Sequence, residues 1–198
     1  MNGISLQLKK HISKKGAGVS KIFGSPDVWS AFEWPAVTDG GDCYDLDFLL
    51  QINCANASVF DRLGVLPKTG MLYFFYDFEV CPTDINDKNA ARVIFYGGNT
   101  ENLEELVMVD EDGVDCAICP PRCINFSANG YKTENSKLKM CYLDEDFENH
   151  VVLLKINSFS VFNGELHFND LGEMLFLIDK DKLKSLDFSD VRVAVKYK

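Results

Sequence analysis

Phe48-Leu49-Leu50-Gln51-Ile52-Asn53 is a short apolar run closed by a polar residue, and it returns far down the chain as Leu153-Leu154-Lys155-Ile156-Asn157. Its length and its bounding polar residues read as a strand buried on at least one face. Two more echoes follow in the same order. Gly70-Met71-Leu72-Tyr73-Phe74 is answered by Gly172-Glu173-Met174-Leu175-Phe176 with one residue inserted, and Ala91 to Tyr96 by Val191 to Tyr197. Between the first two strands, Val59 to Leu63 is expected to form a helical turn closed by Gly64, and Pro67-Lys68-Thr69-Gly70 carries turn chemistry. The unit is strand, short helix or loop, strand, strand. Three matches in one order predict an internal duplication, with copies at about 46–98 and 150–198. Neither copy is large enough to bury its sheet alone, so the expectation is one α+β, strand-rich domain over residues 1–198, its copies packed about a pseudo-two-fold axis.

Outside the copies the pattern is less regular. Ile4, Leu8 and Ile12 fall four apart before Gly16 and Gly18, which predicts a short helix with a Lys-rich outer face. Trp29, Phe32 and Trp34 follow in a Pro-bounded segment without period, and such rings are expected to anchor a loop onto the sheet. The middle, from Glu101 to Asp146, reads as acidic loops. Lys180 to Leu186 predicts a short helix that leads through Asp187-Phe188-Ser189-Asp190 into the last strand.

Several of these stretches resemble the YwqG-like family, a bacterial family of unknown function. They are Ser20-Lys21-Ile22 with Gly24 and Pro26, Trp34-Pro35, Leu46 to Asn53, Leu66-Pro67 to Gly70, Met71 to Phe75, Gly172 to Ile178, Asp181-Lys182-Leu183 and Asp187 to Val191. The resemblance implies an α+β fold and supplies no reaction, cofactor or catalytic residue. The chain departs from the family at Phe23-Gly24, where a pair of Gly is expected. It also departs across Asn129 to Tyr142, which lacks a His-Gln-Leu-Leu-Gly segment, and near His150, where a Trp is expected.

The chain has 198 residues, of which 46% are hydrophobic and 25% charged, enough apolar content for a substantial core. The apolar run Met71 to Tyr76 stops at Asp77, far short of a membrane span, and residues 1–15 lack the build of a secretory signal. Cytosol is the expected compartment, and the odd count of seven Cys fits reduced thiols. Net charge is −10, yet residues 1–21 hold five Lys and no acid, so the acid excess lies in the body. A body of that sign argues against nucleic acid as a partner.

Cys116-Ala117-Ile118-Cys119-Pro120-Pro121-Arg122-Cys123, with Cys141 beyond it, is the most distinctive local feature. Its spacing suits zinc ligation, with Cys141, His150 or His167 as a fourth ligand, or a redox pair at Cys116 and Cys119. Ordinary thiols in a loop are the preferred reading, because a second Cys-x-x-Cys and a strand-to-helix setting are both missing. Three His (His11, His150, His167) and no Gly-x-Ser-x-Gly elbow give no hydrolytic constellation. Gly16-Ala17-Gly18 and Gly97-Gly98 lack phosphate-loop spacing, and Asp110-Glu111-Asp112-Gly113 lacks that of a calcium loop. No catalytic, cofactor or metal residue is assigned. The residues therefore point to a non-enzymatic protein- or peptide-binding module, a monomer or weak dimer, and the resemblance implies a bacterial one. The alternative is a hydrolase or transferase with a pocket between the copies.

Overall fold

The computed structural model describes residues 5–8, 16–61, 64–127, 148–157, 159–161, 164–166 and 173–196. The chain divides into two compact units, residues 1–75 with 93–133, and residues 76–92 with 134–198. The fold is α+β and rich in strands. No helix among the described residues is long and apolar enough to cross a membrane.

The first unit is built on a six-stranded sheet. Its strands are β1 (Ser5–Leu8), β2 (Lys21–Ile22), β6 (Asp47–Asn53), β7 (Met71–Tyr76), β8 (Ala91–Tyr96) and β10 (Arg122–Ser127), in the order β1-β10-β2-β6-β7-β8. Two short pairs flank it: β3 (Asp27–Val28) with β9 (Glu104–Glu105), and the hairpin of β4 (Ala36–Asp39) with β5 (Asp42–Asp45). Gly40 and Gly41, at φ 59° and 101°, make the hairpin turn that Asp39-Gly40-Gly41-Asp42 encodes. Every residue of β7 is buried, as expected for an apolar run in the body of a sheet. Each such side chain contributes roughly 1.5–3 kcal/mol by leaving water.

Two local expectations change. Ser5–Leu8, expected to be helical, is a strand antiparallel to β10, with Leu6 opposite Phe126. Ser5-Leu6-Gln7-Leu8 also alternates polar and apolar, and a partner strand far along the chain supplies the ladder bonds that settle its state. Residues 9–15 lie outside those described. The helix here is α1 (Cys54–Ser58), which starts at Cys54 because the Asn53 side chain caps it by accepting from the Ala55 N–H at 3.0 Å, and which ends before the turn expected over Val59 to Leu63; residues 62–63 of that expected turn lie outside those described. Cys54 and Ala57 are its buried residues, and burial pushes the Cys54 thiol up to about 12, which leaves it a core residue.

The second unit carries an antiparallel sheet of β11 (His150–Asn157), β14 (Glu173–Asp179) and β15 (Arg192–Lys196), in that order. A hairpin of β12 (Phe159–Val161) and β13 (Gly164–Leu166), which the sequence pattern does not announce, lies between β11 and β14. Leu175, Leu177 and Ala194 form a core cluster with Ile85 and Val152 against it. Arg192 ties the loop before β8 to this sheet through Nη1 to the Asn86 carbonyl, 3.1 Å, while its Nε holds Asp190 at 2.8 Å.

The helix expected from Lys180 forms as α2 (Lys180–Lys184), capped by Asp179. The Asp179 carboxylate accepts from the N–H of Asp181 and of Lys182, and those bonds hold its pKa below the ordinary value. A lowered folded pKa means that this support is complete above the ordinary carboxylate pKa and is lost as pH falls through the folded value. Asp179→Ala should lower the unfolding midpoint at pH 7, and its difference from wild type should shrink on acidification. Asp179→Asn should keep most of the cap and lose the pH dependence. Urea unfolding across pH 2.5–7 measures both, and a pH-independent Asp179→Ala deficit refutes the cap.

Candidate functional site

The lead-in from Ser20 to Val28 is buried at every position, an unusual state for a segment that holds Lys21, Ser25 and Asp27. Between β2 and β3 the backbone makes a left-handed bend, with Phe23 at φ 61° and Gly24 at φ 66°. A bulky residue in this region is strained, and Phe23 stands where the YwqG-like resemblance expects Gly. The Phe23 N–H donates to the Leu49 carbonyl at 2.8 Å and the Gly24 N–H to the Cys119 carbonyl at 2.9 Å. Gly24 has no room for a Cβ, which would meet Pro121 at 2.6 Å. The Cys-rich stretch is therefore folded directly onto the bend.

Beneath the bend is a polar network in which the charges are answered. Lys21 Nζ lies 2.8 Å from Asp27 Oδ1 and 3.9 Å from Glu105. Asp27 Oδ2 accepts from the Gly18 N–H (3.0 Å) and from Gln51 Nε2 (2.7 Å). The Asp27 N–H donates to Gln51 Oε1 at 2.7 Å, and Tyr73 donates its hydroxyl to the Asp27 carbonyl at 2.6 Å. Gln51 Nε2 also donates to the Val19 carbonyl at 2.7 Å. Burial, and next the nearby Asp27, push the Tyr73 hydroxyl well above its ordinary value, so it remains a donor. Polar groups this deep persist only when paired.

Beside the network the lead-in aromatics meet the sheet, as expected of them. Trp29 stacks on Tyr96 (4.6 Å, 7°), Phe32 lies over Phe75 (6.2 Å, 23°), and Trp34 meets Phe75 edge-on (5.4 Å, 75°). Trp34 is fixed further by its Nε1 donating to the Leu46 carbonyl at 2.8 Å. It has a second role: with Gly24, Ser25, Asp45, Asp47, Asp115 and Cys116 it lines a cleft of about 180 Å³. Among the described residues this lining contains three carboxylates and a thiol, and no Lys, Arg or His.

The Cys pattern is only partly gathered here. Cys116 is exposed at the cleft, Cys119 lends its carbonyl to Gly24 while burial raises its thiol pKa, and Cys123 pairs in register with Lys21. Cys141, His11 and His167 lie outside the described residues. Among the described residues no three His, Cys, Asp or Glu are grouped to hold a metal ion. His150 opens β11 half-buried, its pKa lowered by burial against the opposing pull of Asp179 and Asp190. Among the described residues lining the cleft there is no imidazole beside the Cys116 thiol. Residues absent from the sequence reading as site candidates are Gln51, Asp27 and Lys21; a Gln inside an apolar strand run was the one visible signal.

Fold and site together define a strand-rich α+β protein with a small acidic cleft, walled on one side by an indole and on another by a bend clamped from below. The chain belongs to the family described as Domain of unknown function (DUF1963), which matches residues 20–149. That match takes in the bend, every cleft residue and the network except its Gly18 and Val19 backbone partners, and it ends where β11 begins. No curated protein matches the chain.

Proposed function

We propose that the chain is a non-enzymatic module that binds a protein or peptide partner, and that the cleft beside Trp34 receives a cationic side chain of that partner. The observation that carries this reading is the cleft lining, with Asp45, Asp47 and Asp115 around an indole and no cation among its described residues. An ammonium or guanidinium group gains both from the carboxylates and from an aromatic face. A volume near 180 Å³ suits one side chain better than a cofactor, since small-molecule pockets run to about 300–1,000 Å³. The net charge of −10 favours a basic partner over nucleic acid. The odd Cys count supports a cytosolic setting.

We also read an internal duplication. β6, β7 and β8 are neighbours in chain order, and so are β11, β14 and β15. The order of the helices differs: α1 precedes the second strand of its set, whereas α2 follows it.

The test is titration with a lysine-rich peptide, following Trp emission and thiol labelling. Binding should shift the emission, protect Cys116 from a thiol reagent while leaving exposed Cys43 reactive, and weaken at least ~5-fold when salt shortens the screening length from ~10 Å to ~3 Å. Asp45→Asn with Asp115→Asn should weaken it about tenfold. Equal binding of a glutamate-rich peptide, or of the double variant, overturns the reading.

A further inference from the structure

We infer that Gln51 is a positioning residue for the Gly24–Ser25 wall of the cleft, acting through Asp27 and Val19 and touching no ligand itself. This deepens the reading of the same cleft as a binding site and rests on it for its functional meaning.

Gln51 is fully buried in the middle of β6, where an apolar side chain would satisfy the sheet. Its amide instead grips both legs of the lead-in. Nε2 holds the Val19 carbonyl before the bend, and Oε1 and Nε2 hold the Asp27 N–H and carboxylate after it. The apex between those legs, Phe23–Ser25, has two successive left-handed residues, one of them a completely buried Phe. Such a conformation persists only where the surroundings over-determine it. Here the surroundings are the Gln51 amide below, the Lys21–Asp27 pair alongside, and Cys119 with Pro121 above. Gly24 and Ser25 present that apex to the cleft. A fully connected polar group in place of a hydrophobic one selects a single geometry for the segments it joins.

The experiment is amide hydrogen exchange on the full chain, comparing wild type, Gln51→Leu and a control, Leu154→Ala in β11, under conditions where the two variants have equal global stability. Gln51→Leu should speed exchange of the Gly24 amide at least ~10-fold relative to the β7 amides of Leu72 and Phe74. Leu154→Ala should leave that ratio unchanged. Gln51→Glu keeps the acceptor for the Asp27 N–H, loses both donated bonds and sets a carboxyl oxygen against Asp27 Oδ2 and the Val19 carbonyl, so it serves as second variant if Gln51→Leu does not fold, with a shift of the same sign. A Gly24 amide that keeps step with β7 in the variants overturns the inference, because a merely structural Gln51 would loosen the sheet as a whole. The lysine-rich peptide supplies the second arm. A loosened Gly24 with unchanged affinity also overturns it. Absence of peptide binding by the wild type removes the binding reading alone and leaves the exchange ratio to decide whether Gln51 holds the wall.

Discussion

Asp27→Ala should cost about 3–5 kcal/mol of unfolding free energy, the range for breaking a buried ion pair by removing one partner. Lys21 and Asp27 are only 7% and 4% exposed. The variant leaves the Lys21 ammonium facing Glu105 at 3.9 Å. It also strips the Gly18 N–H and one of the Gln51 bonds of their acceptor. Most of that loss is the penalty of an uncompensated buried charge, and the second half of the prediction follows from this. Lys21→Met in the Asp27→Ala background should recover part of the stability, even though it removes one more native group. A double-mutant cycle by urea unfolding reads the coupling directly. If the double variant is less stable than Asp27→Ala by the full cost of Lys21→Met alone, the two charges are independent and the clamp is misassigned.

The second large effect is expected at Gly70, at the entry to β7. Its φ of +91° lies where L side chains are strained, and an added Cβ would fall on the Tyr96 carbonyl oxygen, with Gly97 Cα only 3.1 Å away. These obstacles are backbone at the end of β8, which cannot rotate aside, and the Gly70 carbonyl is itself held by the Cys54 N–H at 2.9 Å. Gly70→Ala should therefore lose about 1–3 kcal/mol to backbone strain and about 1–3 kcal/mol more to overpacking. Gly64→Ala is the natural comparison: φ is +64° and nothing lies within 4 Å of the added carbon, so only the conformational part applies. Equal unfolding midpoints for the two variants would show that β7 and β8 do not approach as described.

The strands that need only local pattern are legible: β6, β7 and β8, then β11, β14 and β15, each an apolar run between turn residues. The Lys180 helix was legible too, because its cap and its apolar Leu183 are neighbours in sequence. What failed locally failed for identifiable reasons. Ser5–Leu8 fits both a four-residue and a two-residue spacing, and pairing with β10 broke the tie. β10 itself was hidden behind Pro120 and Pro121, which read as loop. α1 is hard to place from pattern because Asn53 serves at once as the polar end of a strand and as the cap of a helix.

The candidate site divides in the same way. Trp34 could be found as an aromatic anchor, and the Cys stretch as an unusual spacing, but neither showed that the two share a cleft. Amino-acid order alone determined the strand-rich class, the doubled run of strand patterns beginning at Phe48 and at Leu153, and the acidic balance of the body, since each depends on composition or on residues within a few positions. Only tertiary structure decided that Gln51 reaches Asp27, 24 positions away, that Tyr73 reaches it across 46, and that Gly24 and Cys116 face one cleft. Those contacts depend on which strands pair and in what register. A buried polar group finds its partners through that pairing, and periodicity along one segment carries no trace of it.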